Sequence, residues 1–416
     1  MMLKLKKYNQ TLYNFSEFNS SQKKFLVISI ILLVVLGQLA ITLYLPSMPN
    51  MVSYFKTDNL HIQLTLTLYL AGYGISQFFY GPLSDIYGRR LVILVGLSIF
   101  FIANLLAVFA TTFGVFLSSR ILQGIGIGCG DTMGRAILCD CFKANEFVMA
   151  ACYIGLAATI TPMIAPVIGG YIEVFFNWRA NFIFILLSGM IVMSIIFINL
   201  PETKSKENAS KINFFEIAMN YWYILRHRTF LTFFLPGLVS FVGETVYNII
   251  SPFLIQQQLK WGPVAFGWFT VIPVIGLVIG TFIVYFLNHR ISYTKMVFSG
   301  VCIMSIAGIT MLIFSLMGYF NILIIVGPML VFMIGVGITY PNTNLGALTP
   351  FATTAGVAGA LQGGLQMVLG GLFGTFLAHL HIETPFSLAL ILAVFSLGIL
   401  IAFINLANLS FFKKMK

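Results

Sequence analysis

The chain has 416 residues, of which 59% are hydrophobic and 8% are charged, and its mean hydropathy is +0.96. Soluble domains carry about 25% charged residues, so this composition excludes a soluble enzyme and indicates a protein that crosses a membrane several times. The formal net charge of +11 could suit nucleic acid, but its distribution along the chain argues against that partner.

A basic stretch, residues 1–24, precedes a first apolar run from Phe25 to Leu45, which is long enough to cross a bilayer. Five more spans are predicted at 62–82, 91–110, 113–138, 147–173 and 179–200. A polar linker at 201–228, with an amphipathic segment at 214–225, leads to spans at 229–256, 264–287, 294–316, 320–340, 353–380 and 384–410. Residues 411–416 form a basic tail. The sequence therefore predicts an all-α membrane protein with twelve transmembrane helices in two six-helix lobes, 25–200 and 229–410.

The Lys and Arg residues orient these spans. With both termini in the cytoplasm, 18 of the 23 fall in cytoplasmic segments, three fall in outer loops, and Arg120 and Arg135 lie within the fourth span. This bias follows the positive-inside rule, so it predicts a multi-pass protein with both termini cytoplasmic. It also accounts for the net charge without a nucleic-acid partner.

The stretch between the second and third spans reads G-P-L-S-D-I-Y-G-R-R, from Gly81 to Arg90. Asp85 and the paired Arg89 and Arg90 cannot lie in hydrocarbon, so the stretch is predicted to be a short aqueous loop. Gly81, the proline after it and Gly88 would let the chain turn sharply.

The fourth span carries ionisable residues on one helical stripe. Arg120 and Asp131 are eleven residues apart, close to three turns, and Arg135 follows four residues later. Such groups normally face a water-filled cavity, so the stripe is predicted to line one. The alternative for Asp131 and Arg135 is a local, structural ion pair at the cytoplasmic mouth.

The fifth span contains Pro162, Pro166, Gly169 and Gly170. These residues predict a bent helix that a neighbour approaches closely, and therefore a hinge or seal of the cavity. In the seventh span, Glu244 is the one acid inside the spans of the second half, since Glu383 lies at a helix end. It is either a proton carrier or a hydrogen-bonded structural carboxyl.

Enzyme and cofactor signatures are missing from the sequence. The five cysteines form no C-x-x-C pair, so neither a metal site nor a disulfide is expected. There is no Walker-type phosphate loop and no H-E-x-x-H or G-x-S-x-G motif. The chain is therefore predicted to be no enzyme and to need no cofactor.

Several motifs resemble the major facilitator superfamily, and within it the Bcr/CflA-type drug-resistance branch. The loop motif is matched by Gly81, Leu83, Asp85, Gly88, Arg89 and Arg90. The resemblance implies that this loop locks and unlocks the cytoplasmic gate through salt bridges. The helix-four motif is matched by Arg120, Gln123, Gly124 and Gly126, which implies a part for the arginine in proton coupling. The run 165–170 resembles the helix-five motif of the antiporters.

One position departs from that branch. Its members often have an acid in helix one that pairs with the helix-four arginine, and here that position is Thr42. Three alternatives stay open: Asp131 or Glu244 carries the proton, coupling works differently, or a negative charge on the substrate pairs with Arg120.

The resemblance implies a secondary active transporter that exports drugs or other small molecules by proton antiport and alternating access. A monomer in the lipid bilayer of the bacterial inner membrane is expected, with a small molecule and protons as its partners. The alternative is a specific transporter of a siderophore, a carboxylate or another small metabolite. A receptor or channel is a third class, disfavoured because channels need no gate-lock loop.

Overall fold

The computed structural model describes residues 20–142, 144–203, 214–378 and 385–406. All regular structure in these ranges is helical. Eleven of the described helical segments are long and apolar enough to cross a membrane. Helix α3 (Asn59–Tyr87), with 29 residues, is the remaining crossing, because polar side chains along it lower its hydropathy. The predicted all-α fold of twelve membrane helices is confirmed.

The first half comprises eight helices that make six crossings. They are α1 (Ser20–Thr42), α2 (Met48–Phe55), α3, α4 (Arg89–Val108), α5 (Phe113–Ile127), α6 (Cys129–Cys141), α7 (Ala144–Phe175) and α8 (Trp178–Asn199). A 3-10 turn, Leu45–Ser47, joins α1 to α2, and Gly128 separates α5 from α6. Proline at the second position of that turn removes a backbone donor, which explains why the first crossing is interrupted there.

The second half comprises six crossings that follow the linker helix α9 (Phe214–Arg226), which forms where the sequence is amphipathic. They are α10 (Arg228–Phe253), α11 (Pro263–Leu287), α12 (Tyr293–Leu316), α13 (Ile322–Leu348), α14 (Ala355–Ala378) and α15 (Pro385–Leu406). The predicted tails before Ser20 and after Leu406 lie outside the described residues. The assignment of the halves to two separate lobes stays a prediction.

The predicted aqueous loop from Gly81 to Arg90 is wrong. Helix α3 continues through it to Tyr87 and α4 begins at Arg89, so the turn consists of Gly88 alone, with a φ of 91°. Gly81 lies within the helix, and a methyl group added there would be 3.8 Å from its nearest neighbour, a Thr132 methyl. The charges of the stretch need no loop, because Asp85 and Arg89 form ion pairs at the ends of the helices and Arg90 donates to the carbonyl oxygen of Phe197.

Two seams join the halves, one between α3 and α14 and the other between α7 and α11. A Cβ atom added at Gly74 would lie 2.5 Å from the carbonyl oxygen of Gly364, and one at Gly170 would lie 2.6 Å from that of Pro263. The backbones are therefore in direct contact, which a side chain would prevent. We call the end of the molecule with Gly88 the inner end, and the end with Pro46 the outer end.

Helix α7 offers a matched test of this packing. A Cβ at Gly169 would collide with the carbonyl oxygen of Leu43, whereas one at Gly155 would meet no atom within 4 Å. We expect Gly169→Ala to lower the midpoint of thermal unfolding in detergent, since overpacking costs about 1–3 kcal/mol.

The control, Gly155→Ala, should leave the midpoint unchanged or raise it, because alanine is favoured over glycine in a helix by about 0.5–1 kcal/mol. Equal midpoints for the two variants would contradict the close approach of α7 to the end of α1.

Candidate functional site

A small cavity lies between the two halves. Its volume is about 20 Å³, enough for one water molecule. Thr42 of α1 lines it from the first half, and Glu244, Asn248 and Thr270 line it from the second half. Prolines of α7 and α11 and methionines of α13 supply the apolar wall. The predicted hinge prolines of α7 are among them.

Glu244 is the acid of this cavity. Its side chain is partly accessible, and no cation of the described residues lies within 4.0 Å of its carboxylate. Thr42 stands across from it and donates its hydroxyl to the carbonyl oxygen of Gln38 at 2.8 Å. Thr42, at the position where the drug-resistance branch often has an acid, therefore lines the same cavity as Glu244, the acid that this chain has in α10.

Arg120 lies inside the first half and is not among the residues that line the cavity. Its guanidinium is fully buried, donates to the carbonyl oxygen of Ala40 at 3.0 Å and to the side chain of Gln123, and lies 4.3 Å and 4.6 Å from the ring centres of Tyr44 and Tyr69. Backbone oxygens and aromatic faces thus surround the charge, and no carboxylate in the described part of the chain lies within 4.0 Å of it. A substrate cannot reach it in this conformation.

Gln123 extends this buried network. Its amide nitrogen donates to the side-chain oxygen of Asn104 at 2.9 Å, and Asn104 in turn donates to the carbonyl oxygen of Phe100 at 2.8 Å. The network ties α5 to α4 through hydrogen bonds that are protected from water. Gln123 therefore orients Arg120 and does not face the cavity.

Asp131 and Arg135 do not form the ion pair that their spacing allows. Among the described residues, no ion pair within 4.0 Å joins them, and Nη2 of Arg135 donates to the side-chain oxygen of Gln77 at 3.1 Å. Both charged side chains are half-buried on α6. Because α5 ends at Ile127, the stripe predicted from Arg120 to Arg135 is divided into two environments. The structure does not bring Arg120, Asp131 and Glu244 together.

The inner end of the first half is held by Arg89. Its guanidinium pairs with Asp85, with 2.7 Å between Nη1 and Oδ1, and with Asp140 of α6, with 3.1 Å between Nε and Oδ2. It also donates to the hydroxyl of Ser84. These bonds fasten the ends of α3, α4 and α6 together.

Glu202, just after α8, completes this network. Its carboxylate accepts the backbone N–H groups of Arg89 at 2.8 Å and Arg90 at 3.2 Å, where the free amides of α4 favour negative charge. A Cβ at Gly88 would collide with this carboxylate. Arg90 donates to the carbonyl oxygen of Phe197 at 2.7 Å, so both arginines contact their own half.

The outer end is closed by hydrogen bonds between the halves. Helix α10 ends in a π turn, Leu254–Gln258, in which consecutive glutamines both face the first half. Gln256 donates to the carbonyl oxygen of Pro46 at 3.0 Å, and Gln257 exchanges two hydrogen bonds with Asn59, at 3.0 and 3.1 Å. In an α-helix, adjacent side chains point about 100° apart. The π turn is wider than an α-helical turn, so Gln256 and Gln257 can both contact the first half.

Asn59 is positioned by the cap of α3. Asp58 accepts the backbone N–H of His61 at 2.8 Å and contacts the ring nitrogen Nδ1 at 2.6 Å. The backbone hydrogen bond lowers the pKa of the Asp58 carboxyl. The cap therefore stays ionised near neutral pH and fixes the first turn of the helix that carries Asn59.

Sequence reasoning missed several of these residues. Asp140 and Glu202 lie close to predicted span ends on the side of Arg89 and Arg90, and this shared location was the available signal. Gln77, the hydrogen-bond partner of Arg135, lies in α3 and stands out in sequence only as a polar residue in a span. Gln256 and Gln257 were visible as polar residues, but their cross-half contacts depend on the π turn.

Twelve crossings, two close seams and a central polar cavity define a polytopic carrier of the secondary-transporter class. The sequence profile of the Major Facilitator Superfamily matches residues 30–375. The chain belongs to this superfamily, and its proteins are transporters rather than enzymes.

Relatives and solved structures agree with this assignment. Multidrug resistance protein D of Escherichia coli is 30% identical over 383 residues, covering 92% of this chain and 96% of that protein. The bicyclomycin resistance protein homolog of Haemophilus influenzae is 26% identical over 378 residues, covering 88% and 92%. The xylose transporter XylE of E. coli, in a partially occluded inward-open conformation, aligns with a TM-score of 0.74 at 13% identity, covering 92% of this chain and 97% of that one. The predicted family and its drug-resistance branch are confirmed.

The outer closure can be tested by cross-linking. In a chain whose native cysteines are replaced by serine, we expect Asn59→Cys with Gln257→Cys to be joined by a short bifunctional thiosulfonate reagent. The reason is that the native side chains exchange two hydrogen bonds across the halves. Intact-mass spectrometry of the purified protein measures the yield.

Each single-cysteine variant serves as the control and should gain only singly attached reagent. A double variant that also gains only singly attached reagent would show that the outer ends of α3 and α10 are apart.

Proposed function

We propose that this protein exports amphipathic small molecules in exchange for protons, with Glu244 as the proton carrier. The observation that carries the proposal is the position of this carboxyl in the cavity between the halves, opposite Thr42. Two of the relatives described above are named for multidrug or bicyclomycin resistance, which supports export of drug-like compounds. The protein would act as a monomer in a bacterial inner membrane with both termini cytoplasmic.

The proposed exchange of substrate for protons follows from the free-energy cost of an ionised Glu244 inside the membrane. An ionised carboxylate is unfavourable in a cavity that admits a single water, so Glu244 must be neutralised by a proton or by a cationic ligand. The two occupants then exclude one another, which is what exchange requires. Rocking of the halves about the cavity would expose it to each side in turn.

The described contacts support further proposed roles for the remaining predicted residues. Arg89, Asp85 and Asp140 would keep the inner end of the first half rigid as the halves rock. Gly169 and Gly170 would let α7 pivot on backbone contacts to α1 and α11. Arg120 and Gln123 would hold the interrupted first crossing in place and act on coupling through its shape.

The proton role is tested with Glu244→Gln. In proteoliposomes with an imposed pH gradient, the variant should lose gradient-driven accumulation of a fluorescent amphipathic cation, rhodamine 123, at least about tenfold, because the amide cannot release a proton. Exchange of labelled for unlabelled dye should persist.

The matched control is Glu173→Gln. Glu173 is a buried acid of α7 that accepts a hydrogen bond from Asn50 at 2.7 Å and is not among the residues that line the cavity. This variant should retain gradient-driven accumulation. Full activity of Glu244→Gln would remove Glu244 from the mechanism.

A second experiment moves the acid across the cavity. Since Thr42 and Glu244 line the same cavity, Thr42→Glu in the Glu244→Gln background should restore part of the gradient-driven accumulation. Recovery below a tenth of the wild-type rate, in a variant that folds and exchanges dye, would contradict a shared site for the two positions.

A further inference from the structure

The polar groups that line the Glu244 cavity are mostly hydrogen-bond acceptors. The hydroxyl of Thr42 donates to the carbonyl oxygen of Gln38 at 2.8 Å, and the hydroxyl of Thr270 donates to that of Gly267 at 2.7 Å. Each hydroxyl has a single proton, so only the lone pairs of these two oxygens remain for an occupant of the cavity. An ionised Glu244 also accepts hydrogen bonds and cannot donate them. The cavity therefore presents acceptors from both halves.

The rest of the cavity wall adds few donors. Three prolines, which have no N–H group, line it from α7 and α11: Pro162, Pro166 and Pro273. Among the described residues, the lining has two further polar side chains, those of Tyr247 and Asn248 on α10, and each can present either a donor or an acceptor. An occupant that donates hydrogen bonds is therefore matched by every polar side chain of the lining, whereas an occupant that accepts them is matched by these two alone.

The size of the cavity adds a second criterion. Its volume of about 20 Å³ admits one group as large as a water molecule. A primary ammonium group, –NH₃⁺, is of that size and carries three N–H donors on a single positive charge. A trimethylammonium group is much larger, has no N–H bond and would leave the acceptors without partners. Size and hydrogen-bonding character therefore favour the same occupant.

Glu244 supplies the negative charge that an ammonium group requires. No cation of the described residues lies within 4.0 Å of its carboxylate, so the protein itself does not neutralise that charge by contact. The same lining contains Met329 and Met333 of α13, whose flexible thioether side chains suit an apolar body attached to the ammonium group. The cavity thus combines a counter-ion, acceptors for N–H groups and an adaptable apolar surface.

We propose that this cavity binds the ammonium group of a primary amine, and that the exported compounds are amphipathic amines rather than quaternary ammonium compounds. This deepens the proposed function and rests on it, since it names the substrate class for the Glu244 site. The three N–H donors match the carboxylate of Glu244 and the hydroxyl oxygens of Thr42 and Thr270, with the hydrogen bond to the carboxylate the strongest. The bound group would join the halves, because Thr42 belongs to the first half and the other two residues to the second. Rhodamine 123, the dye of the transport assay, fits this class because its cationic ring system ends in unsubstituted amino groups.

A pair of ligands that differ only in N-methylation tests the proposal. 2-(1-Naphthyl)ethylamine is protonated at neutral pH, as a lysine side chain is, and its N,N,N-trimethyl derivative carries the same charge without N–H bonds. Isothermal titration calorimetry with the full chain in detergent should give a dissociation constant at least about tenfold lower for the primary amine. The added methyl groups make the derivative more apolar, so a site that recognised only charge and apolar surface would favour the opposite order.

Variants of the two threonines separate hydrogen bonding from charge. Thr42→Val and Thr270→Val keep the shape of the side chain and remove an acceptor. Each should raise the dissociation constant of the primary amine at least about threefold and leave that of the trimethyl derivative unchanged. Glu244→Gln should weaken both ligands, because both are cations. The control is Thr232→Val, which changes a buried threonine of α10 that donates to the carbonyl oxygen of Arg228 at 2.9 Å and does not line the cavity. It should leave both constants unchanged.

A trimethyl derivative that binds as tightly as the primary amine, or more tightly, would overturn the proposal, and so would a protein that binds neither compound. Equal weakening of both ligands by the two valine variants would also overturn it, since the threonines would then only shape the cavity. Because binding is measured without a pH gradient, failure of the proposed function is distinguishable. It would appear as absent gradient-driven accumulation of rhodamine 123, whatever the ratio of the dissociation constants.

Discussion

Backbone contact across the two seams is the constraint on which the other features depend. Where α3 meets α14 and α7 meets α11, a single methyl group at Gly74 or Gly170 would come within 2.6 Å of a carbonyl oxygen on the other side. This proximity narrows the central space to one water, sets Thr42 opposite Glu244, and lets Arg135 lie on the glycines of α14. Helices with larger residues at these positions would stand farther apart and would leave the same polar groups in separate environments.

The charged residues of the first half serve two different physical purposes. Arg120 is sealed among carbonyl oxygens and the rings of Tyr44 and Tyr69, so it stabilises the interrupted first crossing and stays out of reach of ligands. Arg135 is half-buried at the boundary between the halves, where its Nη2 donates to the side-chain oxygen of Gln77. Charge in a membrane segment is therefore no sufficient sign of a ligand contact, since the accessible fraction of the side chain decides the role.

The sequence predicts the fold well because apolar length, basic loops and proline positions are local signals. It predicts Glu244 as a candidate for the same reason, since an acid inside a span is visible without a structure. It cannot place that acid opposite Thr42, because two residues about 200 positions apart meet only through the seams. The i,i+4 spacing of Asp131 and Arg135 suggested a pair, but Arg135 bonds instead to Gln77 of α3, 58 positions away. The loop predicted at Gly81–Arg90 failed because ion pairs let the helix continue to Tyr87.

The size of the central cavity limits what the closed conformation can hold. A chamber of about 20 Å³ is too small for a sodium or potassium ion with its hydration shell. In this compact form the chamber would exclude such hydrated ions. Cargo must force the helices apart to fit, so part of its binding free energy is consumed in widening the chamber, and bulky cargo is held less tightly than its contacts alone would suggest.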